Sequence, residues 1–140
     1  MGININTMDA WRYSSPRRLE HNITLDPSAP FPPPAGPHEV KVMVFSAALN
    51  PADLKVPEMP VVGRLLAPPP ASPGMDFAGC VVSAGNAVLP SERFFRAGQL
   101  VYGTLGIPSK FGSLGQFVVC NAEHVVTLED EEEEKKKGTE

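Results

Sequence analysis

The sequence predicts a single domain built mostly of β-strands and arranged as a barrel or a sandwich. The chain has 140 residues, of which 42% are hydrophobic, and this is enough for one modest core. Apolar residues recur with a period of two, as at Val40, Val42 and Val44, which favours strands with one covered face. Sixteen prolines interrupt the chain and leave little room for long helices.

Seven strands follow from the alternating pattern and the β-branched residues. They span Asp9 to Tyr13, His21 to Leu25, Val40 to Leu49, Phe77 to Ser83, Leu100 to Thr104, Phe117 to Cys120 and Val125 to Leu128. The residues expected to be buried include Val42, Val44, Phe77, Val81, Val101 and Val118. Asn50 is a good helix N-cap and Pro51 a good first helical residue, so a single helical turn is predicted over Pro51 to Val56.

The prolines are concentrated in two segments, Asp26 to Pro37 and Ala67 to Pro73. Proline lacks an amide proton and has a fixed φ, so both segments are predicted to be extended connections of polyproline II type. A ligand for an SH3 or WW domain is the functional alternative for these segments.

The glycines in "SPGMDFAGCVVSAG" raise the question of a phosphate-binding loop. Gly74, Gly79 and Gly85 do not have the G-x-G-x-x-G spacing that precedes a helix in dinucleotide-binding sites. The β-branched run after Gly79 predicts a strand instead, with Gly79 at a bend or a close backbone contact. No phosphate-binding loop is predicted in the chain.

Composition argues against several classes of partner and compartment. The net charge of −4 gives no electrostatic footprint for nucleic acid. No apolar run reaches the ~20 residues that span a bilayer, and the amino terminus lacks a signal pattern, so the cytoplasm is expected. Cys80 and Cys120 are interpreted as free, buried thiols.

Four motifs occur in order: "EVKVMVFSAALNPADLKV", "PGMDFAGCVVSAG", "FRAGQLVYGTLG" and "GSLGQFVVCNAEHVV". Together they resemble the amino-terminal catalytic domain of the medium-chain dehydrogenase/reductases, in the zinc-free quinone oxidoreductase branch of fungal type. The resemblance spans Met8 to Leu128 and implies a partly open, GroES-like β-barrel. In the family a Rossmann domain follows and binds NADPH in the cleft between the two domains. That domain is missing here, so a truncated chain is expected, with the GroES-like domain at 1–128.

The resemblance also bears on metal content. Zinc-dependent relatives have Cys where Asn50 stands and Gly-His-Glu where this chain has Gly74, Met75 and Asp76. His21, His38 and His124 have no cysteine or histidine at ligand spacing and are interpreted as surface or turn residues. No zinc or other metal is expected.

The segment "LNPADLK" is similar to fungal quinone reductases and to stand-alone enoyl reductases of polyketide assembly. In that likeness Asn50 and Lys55 lie beside the nicotinamide ribose and the substrate carbonyl. Hydride transfer to an enone builds negative charge on the carbonyl oxygen, which an amide or ammonium donor stabilises. The structural alternative is that Asn50 caps a turn, Asp53 balances the helix dipole and Lys55 is solvated.

Asp76, within an apolar strand, completes the candidate catalytic set of Asn50, Asp53, Lys55 and Asp76. Such an acid is either paired or points into a cleft, and a hydrogen bond to nearby backbone is the favoured interpretation. Residues 129–140 are predicted to be a charged, solvated tail, since they offer no apolar face. Without the second domain an exposed apolar patch and self-association are expected.

Three functional classes remain open at this stage. The first is an NADPH-dependent reductase of enones or quinones, inactive alone and active if a separate chain supplies the nucleotide-binding domain. The second is a binding or regulatory module on the same barrel. The third is a folded fragment without function, whose sign would be low solubility and aggregation.

Overall fold

The computed structural model describes residues 6–15, 17–88, 95–128 and 138. In these ranges the strands are β1 (Thr7–Tyr13), β2 (Ile23–Pro30), β3 (Glu39–Ala48), β4 (Asp76–Ala84), β5 (Leu100–Thr104), β6 (Phe117–Asn121) and β7 (Val125–Thr127). Two short helices follow β3, α1 (Pro51–Glu58) and α2 (Val62–Leu66), and 3-10 turns lie at Leu19–His21 and Ala122–His124. The mostly β fold class is confirmed.

The strands form two antiparallel sheets. One sheet pairs β1 with β2, and the other has the order β6-β3-β4-β5-β7. The sheets do not close into a continuous barrel, in agreement with the partly open, GroES-like fold. Isolated bridges from Ala10 to Gly115 and from Tyr13 to Ala71 attach the small sheet to loops of the large one.

The main core lies on one face of the five-stranded sheet. Its buried members include Val42, Phe77, Val81, Val101 and Val118, all predicted from the alternation. Val44 was also predicted to be buried, but it is only half-buried at the edge of this cluster. The register shifts between Val44 and Ser46, so the strand bulges directly after Val44 and bends away from the core.

The first two strands differ most from the prediction. β1 begins two residues early, and His21 lies in a 3-10 turn instead of a strand. β2 runs through Pro27 to Pro30, so the prediction of a connection over residues 26–37 is wrong for its first part. β2 pairs only with β1, and prolines are tolerated on such an edge strand because its outer side needs no amide donor. Residues 31–36 have no regular structure, as predicted.

The helical region is longer than the predicted single turn. α1 continues to Glu58 with Pro57 as its penultimate residue, where the missing amide costs one hydrogen bond at the end of the helix. α2 was not predicted. Gly63 allows it to lie against α1, because a Cβ at that position would collide with the carbonyl oxygen of Val56.

Gly79 makes the close backbone contact that the sequence indicated. It pairs with Val44 across β3 and β4, and a Cβ on it would collide with the carbonyl oxygen of Met43. The glycine therefore lets the two central strands approach each other without steric conflict.

The opposite face of the large sheet, here called the outer face, carries exposed apolar side chains. Met43, Cys80 and Leu100 form one row across β3, β4 and β5, and Tyr102 and Val126 belong to the next. The four large ones among them, Met43, Leu100, Tyr102 and Val126, are 36% to 46% exposed. This is an exposed apolar patch of the kind expected from the sequence. The charged tail predicted over 129–140 lies outside the described residues, apart from residue 138.

Candidate active site

Asn50 and Asp53 are fixed by the first turn of α1. The backbone N–H of Asn50 donates to Oδ2 of Asp53 at 2.7 Å, and the backbone N–H of Asp53 donates to the carbonyl oxygen of Asn50 at 2.9 Å. Asn50 occupies the N-cap and Asp53 the third helical position, the positions of a capping box. The carboxylate of Asp53 is 5% exposed and is used within this turn. The main chain at Asn50 is thereby held in place.

The side chain of Asn50 turns toward β4. Its amide Nδ2 donates to Oδ2 of Asp76 at 2.7 Å. Ala48, the last residue of β3, pairs with Asp76, the first residue of β4, so the register of the two strands brings Asn50 beside this acid. We expected backbone donors for Asp76, and the donor is instead a side chain.

Asp76 fixes the orientation of the Asn50 amide. A carboxylate only accepts hydrogen bonds, so the amide nitrogen of Asn50 must face it. The amide carries two N–H donors, and the bond to Asp76 uses one of them. The second N–H has a defined direction and is a donor suited to an oxygen of a bound molecule.

Lys55 does not join this group. It is exposed, and among the described residues it forms no hydrogen bond or ion pair. Asp53 and Lys55 are two positions apart on α1, a rotation of about 200° around the helix axis, so they face opposite sides. The structure thus brings Asn50, Asp53 and Asp76 together and leaves Lys55 in solvent.

Asp76 also lines an open groove of about 560 Å³ at this end of the outer face. The groove crosses β3, β4 and β5, and its polar lining residues are Ser46, Asp76, Tyr102, Thr104 and His124. Asp76 and Thr104 are paired across β4 and β5, as are Ala78 and Tyr102, so both rows open into it. Apolar residues such as Phe77 and Val126 supply the remaining wall. Such a mixture suits a mostly apolar molecule with a polar end.

His124 closes the groove at the edge formed by β7. Gly106 has a φ of 82°, and a Cβ on it would lie 2.8 Å from Nδ1 of His124. The imidazole therefore packs against a glycine in the left-handed conformation, and a side chain at that position would displace the ring. His124 is exposed, as predicted for a surface histidine, but it also faces this groove.

Sequence reasoning did not select Ser46, Tyr102, Thr104 or His124. They lie on β3, on β5 and in the 3-10 turn before β7, and only the pairing register places them on one side of the sheet. Their polar character within apolar strands was the available signal, and it does not say which strands are neighbours.

The described residues contain no group of three or more His, Cys, Asp or Glu that could hold a metal ion. No helix in the described ranges is both long and apolar enough to cross a bilayer. The donors at this end of the sheet that could hold a cofactor include the amide of Asn50 and, on a longer stem, the ammonium of Lys55.

Comparisons with known proteins agree with the fold. Residues 36–130 match the alcohol dehydrogenase GroES-like domain. The trans-enoyl reductase pgmF of Aspergillus terreus is 42% identical over 128 residues, which cover 88% of this chain and 36% of the relative. The chloroplastic NADPH-dependent alkenal/one oxidoreductase of Arabidopsis thaliana is 33% identical over 123 residues, covering 79% of this chain and 28% of the relative.

Solved structures show the same architecture. The quinone oxidoreductase of Coxiella burnetii superposes with a TM-score of 0.70 at 23% identity, over 86% of this chain and 36% of the other. An alcohol dehydrogenase superfamily protein of Novosphingobium aromaticivorans superposes with a TM-score of 0.67 at 28% identity, over 86% of this chain and 34% of the other. The chain spans about a third of the length of the relatives it matches.

Proposed function

Because the chain belongs to the alcohol dehydrogenase GroES-like domain family, we propose that it is the substrate-contacting lobe of an NADPH-dependent reductase. The proposed substrates are molecules with a carbon–carbon double bond conjugated to a carbonyl, namely enones, enoyl thioesters or quinones. The names of similar proteins support this class, since they include trans-enoyl reductases and an alkenal/one oxidoreductase. NADPH, when bound, would supply the hydride.

The observation that supports this proposal most directly is the hydrogen bond between Asn50 and Asp76 at the edge of the groove. Reduction of an enone places negative charge on the carbonyl oxygen, and a positioned donor lowers the energy of that state. The second N–H of Asn50 is such a donor, since Asp76 fixes the amide plane. Lys55, about one turn further along α1, is proposed as a second, cationic donor for the same oxygen or for the cofactor ribose.

Asp53 and Asp76 are proposed to act by positioning. Asp53 holds the main chain of Asn50 and Asp76 holds its side chain, so both acids determine where the remaining N–H points. Neither acid needs to transfer a proton in this scheme.

The chain is proposed to be inactive alone. A nicotinamide cofactor is oriented mainly by the glycine turn and helix amino terminus of a dinucleotide-binding domain. The sequence contains no G-x-G-x-x-G motif, and the chain spans about a third of its relatives. Activity is therefore proposed to need a dinucleotide-binding domain in addition to the residues of this sequence.

Reconstitution tests the proposal. The remaining two thirds of a trans-enoyl reductase relative is expressed separately and mixed with this chain, and NADPH oxidation is followed with an enoyl thioester and with a quinone. We expect turnover only in the mixture, strong loss in Asn50→Ala and Lys55→Ala, and no change in Lys41→Ala, a lysine at the opposite end of β3 from α1. Equal activity of the Asn50 and Lys55 variants with the parent would contradict the assigned roles.

The second candidate is a binding module without catalysis. The open groove and the exposed outer face favour it, because both are available in the isolated chain. Micromolar binding of an enone by the chain alone, with no turnover in the reconstituted mixture, would support this candidate over the reductase.

Self-association is proposed as the consequence of the exposed apolar residues. The outer face exposes Tyr102 and Leu100, and the helical region exposes Leu65 at 79% and Val61 at 69%. Exposed apolar surface of this kind is typical of contact regions. Light scattering across a concentration series tests this, with Leu65→Ser and Leu100→Ser expected to lower the measured mass if the two surfaces are used.

A further inference from the structure

At the other end of β3 from the groove, the ammonium group of Lys41 lies over two aromatic rings. Its Nζ lies 4.8 Å from the centre of the Phe31 ring and 5.3 Å from that of Phe117. The two rings meet edge to face, with centroids 5.2 Å apart and planes at 77°. The ring faces attract the ammonium group but offer no oxygen acceptor to its three N–H donors.

The ammonium of Lys41 forms no ion pair among the residues that the structure describes, and Glu39, two positions away on β3, instead accepts a hydrogen bond from the backbone N–H of Gly36. The ion pairs found there join Arg12 to Asp26 and Glu20 to Arg18 and His21, and none involves Lys41. The side chain is half-buried, so water screens its charge only in part. A partly desolvated cation without an acceptor favours an anion that can reach it.

Lys41 lines a groove of about 590 Å³ that is separate from the groove at Asp76. One wall is the proline-rich segment 30–35, and Lys41, Ser83 and Ala84 form part of the other. Proline rings give a rigid apolar surface that loses little entropy when a molecule lies on it. The hydroxyl of Ser83, which pairs with Lys41 across β3 and β4, adds a second donor on the same side.

We propose that this groove binds organic monocarboxylates with a flat or aliphatic body. The carboxylate pairs with Lys41 and Ser83, and the apolar body lies on the prolines. The site uses no residue of the proposed reductase site, so its existence does not depend on that function.

Calorimetric titration with 3-phenylpropanoate tests the proposal, because this acid has no conjugated double bond and is no substrate for an enone reductase. We expect binding by the full chain and at least about tenfold weaker binding by Lys41→Met, the change expected when one charge-assisted hydrogen bond is lost. Lys110→Met serves as the matched control and keeps the parent affinity. Urea unfolding of each variant separates lost binding from lost folding.

The neutral analogue 3-phenylpropanamide makes the test independent of any variant. Equal affinity for the acid and the amide, or equal affinity of Lys41→Met and the parent chain, would overturn the proposal. The chain has its own acids at 129–134, outside the described residues, so a full-length variant with Glu131–Glu134 changed to Gln is titrated as well. If this variant binds 3-phenylpropanoate and the parent chain does not, carboxylates of the chain itself occupy the groove in the parent. The proposal of an external ligand would then be wrong.

Discussion

The amide Nδ2 of Asn50 lies 2.7 Å from Oδ2 of Asp76, and this bond joins the start of α1 to the start of β4. The two residues are 26 positions apart, so the bond depends on the register between β3 and β4.

Asn50→Asp is expected to destabilise the fold by about 2 kcal/mol at pH 7, because two carboxylates then share one contact. Repulsion raises the pKa of the pair in the folded state, so the deficit shrinks as pH falls toward about 4 and grows as pH rises. Urea unfolding of the variant and the parent chain at several pH values measures this difference in stability. The exchange of both residues, Asn50→Asp with Asp76→Asn, restores a donor and an acceptor and should recover most of the loss. No recovery of stability in the double variant would mean that the hydrogen bond between Asn50 and Asp76 contributes little to the stability of the fold.

Gly79→Ala is expected to lower the free energy of unfolding by about 3 kcal/mol or more, since the Cβ of the alanine would collide with the backbone oxygen of Met43. Gly98→Ala is the matched control. Gly98 has a φ of 84° and open space around it, so only the backbone conformation is penalised, by about 1 kcal/mol. Chemical denaturation measures the free energy of unfolding of both variants. Equal losses of stability in the two would contradict the close backbone contact at Gly79.

The two cysteines are expected to differ in reactivity. Burial, with a smaller contribution from the charge of Glu39, raises the pKa of the Cys120 thiol to about 12. At pH 8 only about one in ten thousand of these thiols is then ionised. Iodoacetamide should modify the half-buried Cys80 first and Cys120 only after unfolding, as followed by mass spectrometry. Modification of Cys120 at the rate of Cys80 in the native chain would contradict the burial described above.

Asp26 is expected to contribute to the loss of folding stability at low pH. The backbone N–H of Ser28 and the guanidinium of Arg12 lower its pKa in the folded state. A lowered pKa gives stability that is present above the ordinary value near 3.8 and is lost as pH falls through the folded value. Asp26→Asn should therefore flatten the loss of stability below pH 4 in urea titrations. Glu20→Gln, at an exposed ion pair, is the control and should leave the slope unchanged.

The isolated chain is expected to bind NADPH with millimolar affinity or weaker. Asn50 and Lys55 supply at most a few hydrogen bonds, at about 0.5 to 1.5 kcal/mol each, and association entropy offsets much of this. Calorimetric titration measures the constant. A micromolar value, or reduction of a quinone by the chain alone, would show that no second domain is needed.

The strands of the large sheet were predictable because alternation reports which face is covered. The predicted ranges of β3 to β7 differ from the observed ones by one residue at most, since strand ends depend on the partner as much as on the sequence. β2 was misjudged because proline disfavours strands in general but is accepted on an edge. α2 was missed because it is only five residues long, and although Val62, Leu65 and Leu66 have the i, i+3, i+4 spacing of a helix, so short a segment gives a weak periodic signal.

The candidate site was predictable only where local rules apply. Asn50, Pro51 and Asp53 carry the capping pattern within four residues, and the structure has a helix start there. The partner of Asp76 could not be predicted, because it follows from strand register. The same holds for Tyr102 and His124, which reach the groove from β5 and from the turn before β7.

The pairing of β3 with β6 joins Val42 to Val118, and the bridge from Ala10 reaches Gly115. β1 can pair with β2, and β3 with β4, earlier in synthesis, but the β6 side of β3 and the bridge to Gly115 form only after residues 115–121 have been synthesised. During translation β3 lacks its β6 neighbour until then, and long-range strand pairing is slow. Completion of the large sheet is thus a late event on the ribosome, because it needs the strand at Phe117–Asn121.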